Sequence, residues 1–358
     1  MAKKLKTLRQ RMADGTMPPP AEFKNPEECI AAYESGFEGA IHDPEGAEEV
    51  EAQPDGVFGD AAHKYGIADS GKGKLILSYA SCWEVSGRDD WFHGYISQPT
   101  GDCVSRSQSH SGILALANAV KNGNGSWPDI PDFAYKTGMP WHPSPTYWEK
   151  RGSISGWSCS SAAARSKDKT GLVLAISYPE NPKIGDLLLK YNTNVIGKWC
   201  KTGAPDDVVN TLNKHCTLTY SRSNTSKKEE IMDAIANGYG VSTCGGQGYG
   251  KGSSARNSDG YCKRSGSWSH ALAIVGYDDT EWAHQKYGDT LFLILNSWAA
   301  YLGNDRPHPQ GNPKYPGIPR GSFWCTASSF SGRDSYILSA IEGYPPQKMK
   351  DWNLRDLI

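Results

Sequence analysis

The sequence has no apolar run near the roughly 18 consecutive residues that a membrane-spanning helix needs. Its densest stretches are ALAIVGY at 271–277 and LFLIL at 291–295. Net charge is almost absent too: 38 Lys+Arg against 39 Asp+Glu give −1, too little to attract phosphate backbones or anionic lipid over a distance. The basic start, MAKKLKTLRQRMADG, lacks a following apolar region and does not read as a secretory signal. Nine cysteines, odd in number and without export, are therefore expected to be mostly reduced and inert. No HExxH, CxxC or carboxylate cluster points to a metal, and the glycines of 245–252 lead into no strand–loop–helix that would cradle phosphate. No internal repeat is found. Nucleic acid, membrane, metal and cofactor are all left without a supporting feature, and a cytoplasmic or particle-associated location is expected.

What is present is a chain of 358 residues with 12 Trp, 39 Gly and 22 Pro. At about 150 residues per domain this allows roughly two domains and a sizeable core. Residues 1–75 differ from the rest. Lys3, Lys4, Lys6, Arg9 and Arg11 form a basic head, whereas residues 13–60 carry 13 acids and one base, Lys24. Within this extension Asn25-Pro26-Glu27-Glu28 signals a helix start, and Ile30, Tyr33, Phe37 and Ile41 fall at helical spacing behind it. A charged block of this kind reads as a solvated arm, with a docking arm or an inhibitory pro-segment as the sharper alternatives.

From residue 76 the chain reads as globular. An apolar stripe (Ile113, Leu116, Ala117, Val120) predicts a helix over 104–122, and KEEIMDAIAN predicts another at 228–237. Residues 171–178 are a strand or a buried turn. Residues 245–269, with seven Gly and six Ser, read as a mobile flap, and 303–321, with five Pro, as a second open loop. The runs 270–277 and 291–296 read as buried strands. Pairing Tyr277 with Thr290 across the turn makes partners sum to 567, so His270 faces Ser297 and lies beside Asn296. Helices early and strands late predict an α+β class.

Three segments carry candidate chemistry. In Thr100-Gly101-Asp102-Cys103-Val104 a Cys opens a predicted helix, whose orphan N–H groups and dipole stabilise a thiolate. Ser269-His270-Ala271 begins one strand and Leu295-Asn296-Ser297-Trp298 ends the next. An Asn carbonyl beside a His ring fixes its tautomer and leaves the other nitrogen to take a thiol proton, and Trp298 would shield that bond from water. Each residue alone has a plainer reading: a buried thiol, a packing His, a strand-end cap. His110 lies two turns beyond Cys103, too far for proton abstraction, and reads as structural. Only the three segments together favour chemistry.

These residues resemble the papain-like cysteine peptidases, with Cys, His and Asn in that chain order. SHALAIVGYDD is similar to the family's His strand, LFLILNSWAAYLG to its Asn-Ser-Trp strand, RGSFW at 320–324 to the Gly-aromatic strand after it, and KKEEIMDAIANGYGVS at 227–242 to the helix and strand before the His. The resemblance spans about residues 95–345. It implies a two-subdomain fold, helical over about 95–215 and β-rich over 216–345, followed by a tail at 346–358. It implies Cys103 as nucleophile, His270 as base and acid, Asn296 as the orienting residue, Trp298 as its shield, and an oxyanion hole from the Cys103 N–H and Gln98. It also implies a protein or peptide substrate cleaved through an acyl-enzyme, with no cofactor. The chain departs from the pattern at Val104, where an aromatic is usual, at Gln98, five rather than six residues before the Cys, and in lacking the paired cysteines beside the nucleophile. The GDCVS block is similar to microbial or phage-encoded relatives. It also resembles the nucleophile block of cell-wall endopeptidases, which makes peptidoglycan an alternative substrate, although those folds place His much closer than 167 residues. A virion or assembly protein built on a peptidase fold, docked through the arm, is the third expectation.

Overall fold

The structure, a computed structural model, describes residues 28, 31–33, 35, 37–88, 98, 101–132, 141–142, 156–189, 193–215, 217–250, 253–298, 318–319 and 321–353. Helices α1 (Pro44–Glu51) and α2 (Phe58–Lys64) are followed by strand β1 (Leu75–Ile76), α3 (Ala80–Ser86) and the long α4 (Cys103–Lys121). Next come β2 (Trp141–His142), α5 (Cys159–Asp168), β3 (Val173–Leu174), α6 (Thr193–Thr202) and α7 (Asp206–Leu212). Strands then dominate: β4 (Thr219–Asn224), α8 (Lys228–Ala236), β5 (Gly240–Tyr249), β6 (Arg264–Asp278), α9 (Glu281–Tyr287), β7 (Leu291–Leu295), β8 (Ser322–Thr326), α10 (Ala327–Phe330) and β9 (Asp334–Ser339). The class is α+β, with a helical first half and a β-rich second half.

The main sheet is antiparallel in the order β4-β9-β5-β6-β7-β8, and β1 pairs with the end of β6. Strand alternation divides β7 between two cores: Phe292 and Ile294 enter one, Leu291, Leu293 and Leu295 the other. Each such side chain taken fully out of water contributes roughly 1.5–3 kcal/mol. That is why a five-residue apolar run is a central strand here. Helix α4 packs against β5 and β6. It is buried along most of its length, and its polar residues find partners: Ser107 Oγ lies 2.8 Å from Ser242 Oγ, and Asn118 donates to Ser78 and Gly238. The approach is close enough that a Cβ on Gly240 would sit 1.9 Å from the Ser111 carbonyl oxygen, so only glycine fits there.

Four expectations change. Residues 245–269 are not a flap over their described part: β5 and β6 form a long twisted pair with register shifts after Gly245 and Gln247, and Tyr249 and Trp268 are buried in the core. The β6–β7 hairpin pairs Tyr277 with Phe292 rather than Thr290, and its register shifts again between Ile274 and Gly276. Helix α9 fills the connection, so β7 starts one residue beyond Thr290. Cys159 and Cys244 are not inert thiols but a disulfide joining α5 to β5. Cys82, Cys103, Cys262 and Cys325 are free and buried, Cys200 is buried, and Cys29 and Cys216 lie outside the described residues. Finally, Tyr33 is helical but Ile41 is not on the same helix, because residues 38–41 run extended.

The N-terminal extension is packed over its described part. Val50, Phe58, Ala61 and Ile67 belong to the same core as β4, β5 and β9. The basic head, the Asn25 helix start and all of the 303–321 loop except 318, 319 and 321 lie outside the described residues.

Candidate active site

Cys103 is the first residue of α4, and its own N–H is among the orphan donors of that helix end. The preceding Asp102 is buried and accepts from Arg106 Nε at 3.1 Å, one turn on, so its carboxylate is tied back into the helix. The Tyr33 hydroxyl and the Ala271 and Val104 N–H groups lie near enough to the sulfur to favour its ionised form. The helical half thus brings the thiol to the point where β6 carries His270.

His270 Nε2 lies 3.0 Å from Asn296 Oδ1. Asn296 directly follows β7, so the β6–β7 pairing sets this contact despite the shifted register. With Nε2–H donating to the amide oxygen, Nδ1 is the nitrogen left to accept a proton. It has no hydrogen-bond partner among the described residues. The Trp298 ring stacks on the imidazole, with centroids 4.2 Å apart and planes 13° from parallel. Trp298 is fully buried and covers the His–Asn pair.

Gln98 is buried and tethered to the end of β7. Its backbone N–H donates to the Ser297 carbonyl at 3.0 Å, and the Ser297 hydroxyl donates to its side-chain oxygen. That orientation turns Nε2 outward, where it donates to Tyr33 Oη at 3.0 Å. The five-residue spacing therefore still brings the amide donor into the Cys103 neighbourhood.

The cleft between the halves is filled by the chain's own residues. Tyr33 lies edge-on to His270 and to Trp298. Gly39 lies against the sulfur: a Cβ there would be 2.8 Å from Cys103 Sγ and 2.3 Å from Tyr33 Oη, so this residue too must be glycine. Gly39 and Ala40 both donate to the Ser269 carbonyl at 2.9 Å, Ile41 donates to the Trp157 carbonyl at 2.7 Å, and Trp157 donates to the Gly39 carbonyl at 3.1 Å. Residues 38–41 are thus bridged to both walls, in parallel sense. Asp43 then fastens the segment, accepting from Ser158 at 2.9 Å and Ser160 at 2.6 Å beside the α5 N-terminus. An open cavity of about 540 Å³ remains next to this segment, walled by Ala40, Ile41, Cys244, Gly245, Trp268 and Asp334.

Burial sets the electrostatics of this closed site. Desolvation pushes the Cys103 thiol up to about 11, and the Tyr33 hydroxyl only partly offsets it. Desolvation pushes His270 down to about 3 against the favourable Asn296 bond, with the Arg333 charge acting in the same downward direction. Thiol and imidazole are both neutral while the segment is in place. His110 is buried, and desolvation likewise takes it to about 3, which suits a structural side chain.

Tyr33, Gly39, Asp43 and Arg333 carry no motif. Only Tyr33 had a signal, its place in the helical spacing behind Asn25, and its cleft position was not legible. No group of His, Cys, Asp and Glu that could hold a metal occurs among the described residues, and no described helix is long and apolar enough to cross a membrane.

No protein-family model and no curated protein matches the chain. Solved structures do. The chain is similar to xylellain, a cysteine protease from Xylella fastidiosa, at 13% identity over 69% of this chain and 83% of that one, with a TM-score of 0.41. It is similar to digestive procathepsin L 3 of Tenebrio molitor at 12% identity over 92% and 86%, with a TM-score of 0.44. It is similar to procathepsin B S9 from Trypanosoma congolense at 13% identity over 95% and 97%, with a TM-score of 0.41.

Proposed function

We propose that the chain is a papain-like cysteine peptidase whose active site is closed by its own Tyr33 and residues 37–43. The observation that carries this reading is the His270 Nε2–Asn296 Oδ1 bond at 3.0 Å under the Trp298 ring. It leaves Nδ1 as the free base on the strand whose next residue reaches the Cys103 sulfur.

When the cleft is open, Cys103 gives its proton to His270 Nδ1 and the thiolate attacks a peptide carbonyl. The Cys103 N–H and Gln98 Nε2 receive the oxyanion. His270 passes the proton to the leaving nitrogen as the C–N bond breaks. Water then attacks the thioester, giving its proton to His270, and the acid product leaves as the thiol re-forms. Asn296 acts as the orienting residue, and a protein or peptide is the substrate.

Tyr33 and residues 37–43 occupy the cleft without offering a bond to cleave. The Gly39 carbonyl is turned to the Trp157 N–H, and Gln98 Nε2 is taken by Tyr33, so neither is paired with the other. That favours an inhibitory segment over a substrate-like one.

A thiol-reactive epoxide probe tests the reading. Labelling is expected at Cys103 alone, faster in Tyr33→Ala and lost in Tyr33→Ala/His270→Ala, each read by peptide mass spectrometry. If Cys103 reacts no faster than the other free thiols in every variant, the peptidase reading fails and a structural role for the fold takes its place.

A further inference from the structure

Arg333, at the entrance to β9, has no exposed surface. A guanidinium out of water is costly unless paired, and its usual partner is a carboxylate. Arg333 has none. Its Nη2 donates to the His270 carbonyl, its Nε to Thr243 Oγ1 at 3.3 Å, and its Nη1 to the Gln247 carbonyl and side-chain oxygen at 3.3 Å each. Its own N–H donates to Thr225 at 2.9 Å, and the cation lies 4.8 Å from the Phe330 ring centroid.

Two further features commit the fold to this side chain. The β5–β6 ladder loses register just after the Gly245–His270 pair, and Nη2 supplies a donor to His270 at that break. Gly245 is itself shaped by the arginine, since a Cβ there would lie 2.6 Å from Arg333 Cγ. Neutral groups would satisfy the same carbonyls without the cost of burying a charge.

We infer that Arg333 is a positioning residue of the Cys103–His270 pair: it holds the His270 carbonyl from beneath the strand and sets a fixed positive charge beside the two reacting side chains. The inference rests on the peptidase reading above. The titratable groups whose charge acts on Arg333 or is acted on by it are Tyr249, Cys325, Cys103 and His270, and those beside the Cys103 sulfur are Tyr33 and, at the N-cap of the same helix, Asp102. A fixed cation here favours the thiolate on Cys103 and opposes the imidazolium on His270, so it moves both ionisations to lower pH.

The test is the rate of Cys103 alkylation by iodoacetamide on the full chain from about pH 4 to about pH 10, where the rate follows the thiolate fraction. Wild type, Arg333→Gln and Arg333→Lys are compared, with folding checked by circular dichroism. Both limbs of the profile are expected to rise by about half to one pH unit in Arg333→Gln and to stay in place in Arg333→Lys. Superimposable profiles in wild type and Arg333→Gln, whatever the loss of amplitude, would make the residue purely structural and overturn the inference. If Arg333→Gln does not fold, Arg333→Lys decides. Limbs within about 0.3 unit of wild type with a rate at least about threefold lower support a charge held by the fork, whereas an unchanged rate or limbs displaced by about one unit overturn it. A wild-type Cys103 that titrates as an ordinary thiol, with no limb dependent on His270, removes the peptidase reading and this inference with it. That result is separate from any difference among the Arg333 variants.

Discussion

The Tyr33 ring meets the His270 imidazole edge-on at 4.9 Å between centroids, and its hydroxyl accepts from Gln98 Nε2 and lies near enough to the Cys103 thiol to ease its ionisation. One side chain from the N-terminal segment therefore touches the proposed nucleophile, base and oxyanion donor together. It keeps them dry, and dryness keeps thiol and imidazole neutral. The segment thus acts on ionisation as well as on access.

Replacing Tyr33 is expected to open the site. Tyr33→Ala removes a buried aromatic worth several kcal/mol of packing and should speed Cys103 alkylation at neutral pH by at least about tenfold. Tyr33→Phe keeps the ring and loses the hydroxyl, so its effect should be smaller. Equal rates in wild type and Tyr33→Ala would mean that the segment does not limit access.

Acid should loosen the segment, and the sign follows from His270. In the closed state burial holds its pKa at about 3, while an opened, hydrated imidazole titrates near 6.5. Protonation is thus available only to the open state, and it pulls the equilibrium toward opening progressively as pH falls from about 6.5 to about 3. Above about 6.5 the contribution vanishes. Hydrogen exchange at Gly39, Ala40 and Ile41, corrected for intrinsic rates, should quicken across that window. The effect should flatten in His270→Ala.

Asp43 is expected to fasten the closed state. Asp43→Ala leaves Ser158 and Ser160 without their acceptor at a buried site, costing about 1–3 kcal/mol. Exchange at Ala40 and Ile41 should accelerate more than exchange in β7, the most buried strand. Uniform acceleration would assign Asp43 to the fold as a whole.

Gln98→Ala should separate reactivity from turnover. It frees the Tyr33 hydroxyl, so alkylation of Cys103 is expected to rise. It also removes an oxyanion donor, so hydrolysis of a peptide substrate should fall by about 10²-fold. Parallel changes in the two rates would take Gln98 out of the oxyanion hole.

The Cys159–Cys244 bond closes a separation of 85 residues between α5 and β5. The double variant Cys159→Ser/Cys244→Ser is expected to lose about 3–4 kcal/mol of unfolding free energy in urea titrations, and reductant to do the same to wild type. Reductant without effect would show that the two halves are held by packing alone.

Residues 103–121, 228–236, 270–278 and 291–295 were legible in the sequence because each carries an apolar pattern with the spacing or length of its element. Helix α4 shows a 3.6-residue stripe, and β7 an apolar run long enough for one strand. Order along the chain was enough to single out Cys103, His270 and Asn296 as a set. The register was not, because Glu281–Tyr287 in the connection fold into α9 and the ladder slips between Ile274 and Gly276. Pairing arithmetic cannot foresee a helix in a turn. The Gly- and Ser-rich residues of 245–269 looked mobile for a related reason: local propensity is low, and only Tyr249 and Trp268 buried in the core, together with ladder pairing, make them strands.

The sequence by itself thus determined the class, the two halves and the candidate reacting residues, since these depend on short-range pattern and on residue chemistry. The tertiary structure alone decided that Tyr33 and residues 37–43 fill the cleft, that Cys159 meets Cys244 and that Arg333 holds the His270 carbonyl. Those relationships join positions between 63 and 237 residues apart. Their cause is complementary shape and charge across a packed interface, which leaves no periodic trace in either partner.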